Sequence, residues 1–269
     1  MNDSYRVFFG MQKEPFPVDL DIKDIYHTNK VSGVAERFEY AVHMGAMALV
    51  TGDVGSGKST ALRYAASTLH PSEYLVIYLT ASSGSIMEFY RQLLSALGFE
   101  QSSNSKAVMI RMIKREITDL TLARKIKPVL IVDEASLIRM EVFAELHTIT
   151  QFEKDSKPYL PIVLAGQSSL VDRLMYRTSL PLASRIVARS HLEGVDRKEM
   201  EGYLIHHLAI AGLKQSCFDE NALTAIHQGS GGIFRKANHL ARGAIIAAAK
   251  QRCSMVNAEH VRIAASEIF

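Results

Sequence analysis

Runs of apolar residues alternate with helix-length segments along the chain up to about residue 195. The runs read AMALVT, YLVIYL, PVLIVD, PIVLAG and IVARSHL. The segments between them place apolar residues at helical spacing, as in SIMEFYRQLLSALG. Strands that are apolar throughout and separated by helices are typical of a parallel sheet covered on both faces. We therefore predict an α/β fold, with a parallel sheet inside three layers, for residues 31–195.

The strand pattern stops at about residue 195, and the segments that follow all have helical periodicity. Three of them begin at residues that cap helices well, namely Asp196, Asp219 and Asn257. We predict a small all-helical lid domain over residues 196–269. The aromatic and proline-bearing segment of residues 1–30 is interpreted as an N-terminal arm packed on the core.

One predicted loop between a strand and a helix carries the sequence GDVGSGKST, which fits the pattern G-x-x-x-x-G-K-S. The glycines allow backbone N–H groups to surround phosphates, and the following helix adds its positive end. Lys58 is expected to reach the β- and γ-phosphates, and the Ser59 hydroxyl to bind magnesium. The predicted nucleotide-binding loop comprises Gly52, Asp53, Val54, Gly55, Ser56, Gly57, Lys58, Ser59 and Thr60.

An acidic pair ends the apolar run PVLIVD. Asp133 is expected at the carboxyl end of a strand, where it can bind the water shell of the magnesium ion. Glu134 follows directly and can polarise an attacking water as a general base. Together with the upstream loop, this pair favours a hydrolytic P-loop protein over a simple kinase.

Two further residues have the chemistry to respond to the γ-phosphate. Gln167 follows the apolar run PIVLAG, where a strand-end amide between the two phosphate-binding strands could orient the water; Ser168 is the alternative. Arg235 ends the tetrapeptide GIFR at the start of a lid helix. From there its guanidinium can reach the nucleotide and couple the nucleotide charge to the position of the lid.

In this order, the loop, the acidic pair, the polar strand end and the lid arginine resemble the AAA+ ATPases. The segments FFGMQKEPF, TGDVGSGKST, DEASLI, LAGQSSL and SGGIFRKANHLARGAIIAA resemble the ExeA-like secretion-pathway ATPases, and the similarity runs over nearly the whole chain. Relatives of that family include the transposition ATPases of the TnsC, TniB and MuB class. The resemblance implies ATP and Mg²⁺ as ligands. It also implies ring or helical oligomers in which an arginine of one subunit completes the site of its neighbour.

The resemblance places this arginine between the sensor strand and the lid. Four arginines lie in that segment, and they are Arg173, Arg177, Arg185 and Arg189. Arg185 is preferred, because it is expected at a helix end just before the last strand, where the family has an arginine.

One departure from the family bears on the expected partner. The ExeA-like secretion ATPases continue past the ATPase core into a membrane span and a cell-wall-binding module, whereas this sequence stops at Phe269. The difference favours the transposon-encoded relatives. The expected function is to assemble on DNA and to control a partner transposase, and a secretion role on cell-envelope proteins is the alternative.

A basic segment at residues 106–127 is the predicted contact with duplex DNA. The net charge of the chain is only +3, so attraction to nucleic acid depends on a local patch. This segment is interpreted either as a solvated helix face or as a surface that tracks the DNA backbone with little base specificity. Its basic residues are Lys106, Arg111, Lys114, Arg115, Arg124, Lys125 and Lys127.

Composition bears on the expected location of the protein. Two cysteines fit a reduced compartment, and the first thirty residues contain no signal-peptide apolar core. The sequence contains no apolar run of the roughly 20 residues that span a bilayer. We expect a cytoplasmic protein.

Overall fold

The computed structural model describes residues 4–99 and 103–267. The first three residues of the predicted arm and the last two of the predicted lid lie outside the described residues. The chain divides into two compact units. The sheet unit comprises Asn29–Gly52 and Lys58–Leu192, and the helical unit comprises Met1–Thr28, Asp53–Gly57 and Glu193–Phe269.

Five parallel strands form one sheet within the described part of the sheet unit. They are β1 Met47–Gly52, β2 Tyr74–Thr80, β3 Lys127–Asp133, β4 Ile162–Gly166 and β5 Ile186–Leu192. Their order across the sheet is β2-β3-β4-β1-β5. β1 and β4 are buried at every position, as interior strands covered on both faces must be. β5 is an edge strand, and its exposed positions alternate with buried or half-buried ones.

Helices cover both faces of this sheet. The α-helices among the described residues are α1 Ser4–Phe9, α2 Asn29–His43, α3 Lys58–Ser67, α4 Ile86–Ala96, α5 Lys106–Leu122, α6 Met140–Ile149, α7 Ser169–Leu174, α8 Leu180–Ala183, α9 Arg197–Ile210, α10 Glu220–Ser230, α11 Phe234–Lys250 and α12 Ala258–Ser266. α2 and α3 pack through Phe38 and Leu62 into one apolar cluster. α4, α5 and α6 pack through Leu93, Ile113 and Phe143 into another. The predicted α/β fold with a parallel sheet in three layers is confirmed.

The helical unit joins the four C-terminal helices to the N-terminal segment. Asp196, Asp219 and Asn257 accept backbone N–H groups at the starts of α9, α10 and α12, as their sequence positions predict. Phe16 is 1% exposed in the core of this unit, and Glu14 forms an ion pair with Arg242 of α11 at 2.8 Å. The predicted helical C-terminal region is therefore present, and the arm packs on its helices. Among the described residues, no helix is long and apolar enough to cross a membrane.

Candidate active site

The carboxyl ends of β1 and β3 bring four of the predicted residues together. α3 begins at Lys58, which follows the loop after β1, and Asp133 ends β3. The Ser59 hydroxyl donates a hydrogen bond to Asp133 Oδ2 at 2.6 Å. Lys58 is 6% exposed, and its Nζ donates to the carbonyl of Gly52 at 2.9 Å. A buried cation and a serine–aspartate pair therefore lie at the same edge of the sheet.

The Asp133 carboxylate is held by three donors. Besides Ser59, the hydroxyl of Tyr78 donates to Oδ2 at 2.6 Å, and the backbone N–H of Glu134 donates to Oδ1 at 2.8 Å. Burial, followed by the hydrogen bond to Asp133, raises the pKa of Tyr78, so the phenol keeps its proton and donates. Hard oxygen donors such as Ser59 and Asp133 fit a magnesium ion. Sequence reasoning missed Tyr78, whose only signal is a phenol within the apolar run YLVIYL.

Glu134 has a strained backbone. Its φ of 53° and ψ of 31° lie in the left-handed region, which a residue with a side chain enters at a cost of about 1–3 kcal/mol. The turn Ala135–Leu137 follows directly, and the Glu134 side chain is partly exposed. Such strain next to a buried carboxylate is typical of a functional position.

Gln167 follows β4, which lies between β1 and β3 as predicted. Its backbone N–H donates to the Ser136 hydroxyl at 2.7 Å, and its side chain is exposed. The guanidinium of Arg173 donates to the carbonyl of Ser136 at 2.6 Å and to that of Ile138. Gln167 is thus joined by one hydrogen bond to the segment that follows Glu134. Arg173 holds the same segment through hydrogen bonds to two of its carbonyls.

The middle of the nucleotide loop packs in the helical unit. Gly55 has a φ of +85°, and its carbonyl accepts the backbone N–H of Arg235 at 3.2 Å. A Cβ at Gly55 would lie 2.6 Å from the Cβ of Arg235, so glycine is required there for space and for backbone conformation. Ser56 Oγ is buried without a hydrogen-bond partner among the described residues, and a phosphate oxygen would satisfy it.

Arg185 lies in a cluster of its own within the sheet unit. It donates to Asp155 Oδ1 at 2.5 Å and to Nδ1 of His147 at 3.2 Å. The hydrogen bond from Arg185 holds the pKa of Asp155 below its usual value, and burial followed by the charge of Arg185 lowers the pKa of His147. Asp155 ends a run of three residues with positive φ, which begins at Glu153. Arg177 and Arg189 are exposed.

The basic residues around α5 fall into two groups, those whose side chains form ion pairs or hydrogen bonds within the chain and the others, which are exposed. Lys106 forms an ion pair with Glu145 at 2.5 Å, and Arg124 pairs with Glu116 and Asp119. Lys114 donates to the carbonyl of Gln151 at 2.9 Å, and burial lowers its pKa. The remaining members are exposed, and they are Arg111, Arg115, Lys125 and Lys127.

Comparison with known proteins identifies the type of domain. Residues 43–174 match the family described as AAA domain. The chain is 31% identical to general secretion pathway protein A of Aeromonas hydrophila, over 98% of its own length and 48% of that protein. The chain thus spans about half the length of this relative.

Solved structures share the fold at low sequence identity. Cdc6p from Pyrobaculum aerophilum superposes with a TM-score of 0.72 at 14% identity, covering 98% of this chain and 71% of that one. The ORC1 protein of Aeropyrum pernix, solved in complex with DNA, gives 0.66 at 18% identity, covering 98% and 69%. The match to the AAA domain and the shared P-loop fold support an ATPase activity.

Proposed function

We propose that this ATPase binds ATP with magnesium at the loop of residues 52–60, and that the bound nucleotide controls assembly with other copies of the chain. The observation that carries the proposal is the hydrogen-bonded pair of Ser59 and the buried Asp133, which lies beside Glu134. A P-loop that served only to bind phosphate would not need a second, acidic strand end with a strained glutamate.

Each residue has a separate role in the proposed reaction. When bound, magnesium supplies positive charge to the phosphate oxygens as the terminal phosphoryl group leaves. Ser59 and Asp133 would hold this ion, and Lys58 would neutralise the β- and γ-phosphates. Glu134 would take a proton from the attacking water. Gln167 would orient that water, because its strand lies between the other two.

Assembly would make the site depend on a neighbouring copy. Arg185 is proposed as the residue that acts on the neighbour, and Arg235 as the residue that couples the nucleotide to the helical unit. An arginine supplied by a second subunit stabilises charge that develops on the phosphoryl group. The rate of ATP hydrolysis would therefore depend on whether the subunits are assembled. ATP would stabilise the assembly, and hydrolysis would dismantle it.

Duplex DNA is the proposed surface for this assembly, with control of a transposase as the outcome. Two observations support DNA. The fold is shared with the ORC1 protein that was solved in complex with DNA. Arg111 and Arg115 on α5 are exposed cations that can contact phosphates.

A second candidate function is secretion-pathway work on proteins of the cell envelope. The observation that favours it is the 31% identity to general secretion pathway protein A over 98% of this chain. Under this alternative, the same ATP-controlled assembly would act on a protein partner.

A DNA-binding assay separates the two. The wild type and Lys58→Ala would be titrated with short duplex DNA of random sequence, with ATP and without nucleotide. The DNA proposal expects salt-sensitive, ATP-dependent binding and faster ATP turnover with DNA, both lost in Lys58→Ala. If the protein hydrolyses ATP but does not bind DNA, and DNA does not accelerate the hydrolysis, the DNA proposal is rejected and the secretion candidate is favoured. Absence of turnover in the wild type would reject the ATPase mechanism itself.

A further inference from the structure

A cleft with basic walls lies between α2 and β5, and none of the roles above uses it. Its volume is about 300 Å³. Its walls include Lys30, Gly33 and Arg37 from α2, and Arg189 and His191 from β5. None of the described residues that line it is acidic.

The helical wall concentrates positive charge on one face of α2. Lys30, Gly33 and Arg37 are spaced so that they share a face, while the acidic side chains of the same helix, Glu36 and Glu39, lie about 100° or more away from Arg37 around the axis. Nη1 of Arg37 donates to the carbonyl of Gly33 at 3.0 Å. A Cβ at position 33 would lie 2.8 Å from Nη1, so the glycine lets the guanidinium rest against the helix.

The strand wall supplies a second row of cationic or protonatable side chains. Arg189 and His191 are two positions apart on edge strand β5, so their side chains lie on the same face of the strand. The two positions are about 7 Å apart along the strand, and both residues are exposed. Lys30 and Arg37 are about 10 Å apart along α2. Neither Arg37 nor Arg189 takes part in an ion pair among the described residues, in contrast to Lys106 and Arg124 near α5. The two rows therefore place cationic side chains along both walls of the cleft.

We propose that this basic cleft binds phosphate groups, and that the backbone of duplex DNA supplies them. The identity of the ligand rests on the proposed function, in which DNA is the partner. The phosphate site itself is inferred from the residues that line the cleft. Guanidinium groups present forked donors that match phosphate oxygens. Like charges crowded into one cleft repel each other, and a polyanion relieves that repulsion while releasing its counterions.

The cleft is also connected to the nucleotide loop. His191 Nδ1 lies 2.9 Å from Thr51 Oγ1, and Thr51 directly precedes Gly52, the first residue of the loop. A phosphate held by the cleft would therefore act one hydrogen bond away from the strand that positions the loop. This geometry gives DNA a physical route to ATP turnover.

The test compares two double variants of the full-length chain. Arg37→Ala with Arg189→Ala removes one cation from each wall, and Arg111→Ala with Arg115→Ala removes the same charge from two exposed positions on α5. Binding of fluorescent ATP and the melting temperature should stay unchanged in both. For short duplex DNA, the cleft variant should bind about tenfold or more weakly at about 0.1 M salt, with a salt slope lower by about 2. The α5 variant should retain the larger share of binding.

A second arm separates the cleft from the DNA partner. Inorganic pyrophosphate would be titrated by calorimetry against chain carrying Lys58→Ala, which disables the P-loop, with and without the cleft substitutions. If DNA binding is unaffected while pyrophosphate binding is lost, the cleft takes phosphate from a small molecule, and the DNA source is rejected. If the wild type binds no DNA, the proposed DNA partner fails, and the pyrophosphate result alone decides the cleft. Equal binding of both ligands with and without the substitutions overturns the proposal.

Discussion

Tyr78 holds the carboxylate that is proposed to bind magnesium, and it does so from the neighbouring strand β2. Loss of a hydrogen bond to a metal-binding carboxylate weakens metal affinity by about 10- to 100-fold. Tyr78→Phe should therefore weaken Mn²⁺ binding by the nucleotide-bound protein about tenfold or more, measured by electron paramagnetic resonance. Nucleotide binding without metal should not change.

The matched control for Tyr78 is Tyr40→Phe, which removes the same hydroxyl from an exposed position on α2. If Tyr78→Phe and Tyr40→Phe bind Mn²⁺ alike, Tyr78 only fills space beside Asp133.

Replacing Glu134 should slow ATP hydrolysis without weakening ATP binding. Glu134→Gln keeps the size of the side chain but removes the base, so kcat should fall about 10²- to 10⁴-fold. The affinity for ATP should stay within about threefold of the wild type, because the binding groups are untouched. Steady-state ATPase and fluorescent-nucleotide titrations give both values. Glu141→Gln, at an exposed position on α6, is the control, and normal turnover by Glu134→Gln would contradict the assigned role.

At the scale of elements, α9 and the N-terminal segment meet at a buried histidine. Nδ1 of His207 lies 3.1 Å from the carbonyl of Pro15, and its ring is 5.5 Å from that of Phe16. Burial, followed by the charge of His206, lowers the pKa of His207 to about 4. An unfolded histidine has a pKa of about 6.5. The unfolded chain therefore binds more protons than the folded chain between these two values.

That difference makes stability depend on pH. The contribution of His207 to the free energy of unfolding is complete above about pH 6.5 and falls by about 3 kcal/mol as the pH drops to about 4. Below that value both states are protonated, and the loss levels off. Urea unfolding at several pH values should show a shallower pH dependence for His207→Gln than for the wild type. His70→Gln, at an exposed position, should keep the wild-type slope.

At the scale of the whole molecule, the proposed arginine in trans predicts complementation between two inactive variants. Lys58→Ala should not bind ATP, and Arg185→Ala should bind ATP but not hydrolyse it. Mixed assemblies contain interfaces in which an intact loop faces an intact Arg185, so mixing should restore turnover. The restored rate should rise with total protein concentration, because it requires association.

Two outcomes would contradict the complementation prediction. If the mixture stays inactive while sedimentation shows that the variants still associate, Arg185 does not complete a neighbouring site. If Arg185→Ala alone loses ATP affinity as an isolated subunit, its role lies within its own chain, where it already contacts Asp155 and His147.

Much of the fold could be read from local pattern. Fully apolar runs predict interior parallel strands because such strands are covered on both faces, and β1 and β4 are buried throughout. Cap residues predict helix starts because they bond within one turn, as Asp219 does with the N–H of Ala222. The Ser59–Asp133 pair follows from strand ends that meet at one edge of a parallel sheet. These features depend on periodicity and on contacts between neighbours along the chain or across the sheet.

The tertiary structure alone decided which side chains meet across long separations. Tyr78 bonds to Asp133 only because β2 pairs with β3, and Glu134 enters a strained conformation that no propensity favours. The tertiary structure also decides which charged side chains are neutralised by a partner. Lys106 is neutralised by Glu145 from α6, whereas Arg37 and Arg189 are brought into one cleft by the packing of α2 on β5. A linear sequence records that a residue is basic, but its partners are set by three-dimensional packing, and those partners decide whether the charge is available to a ligand.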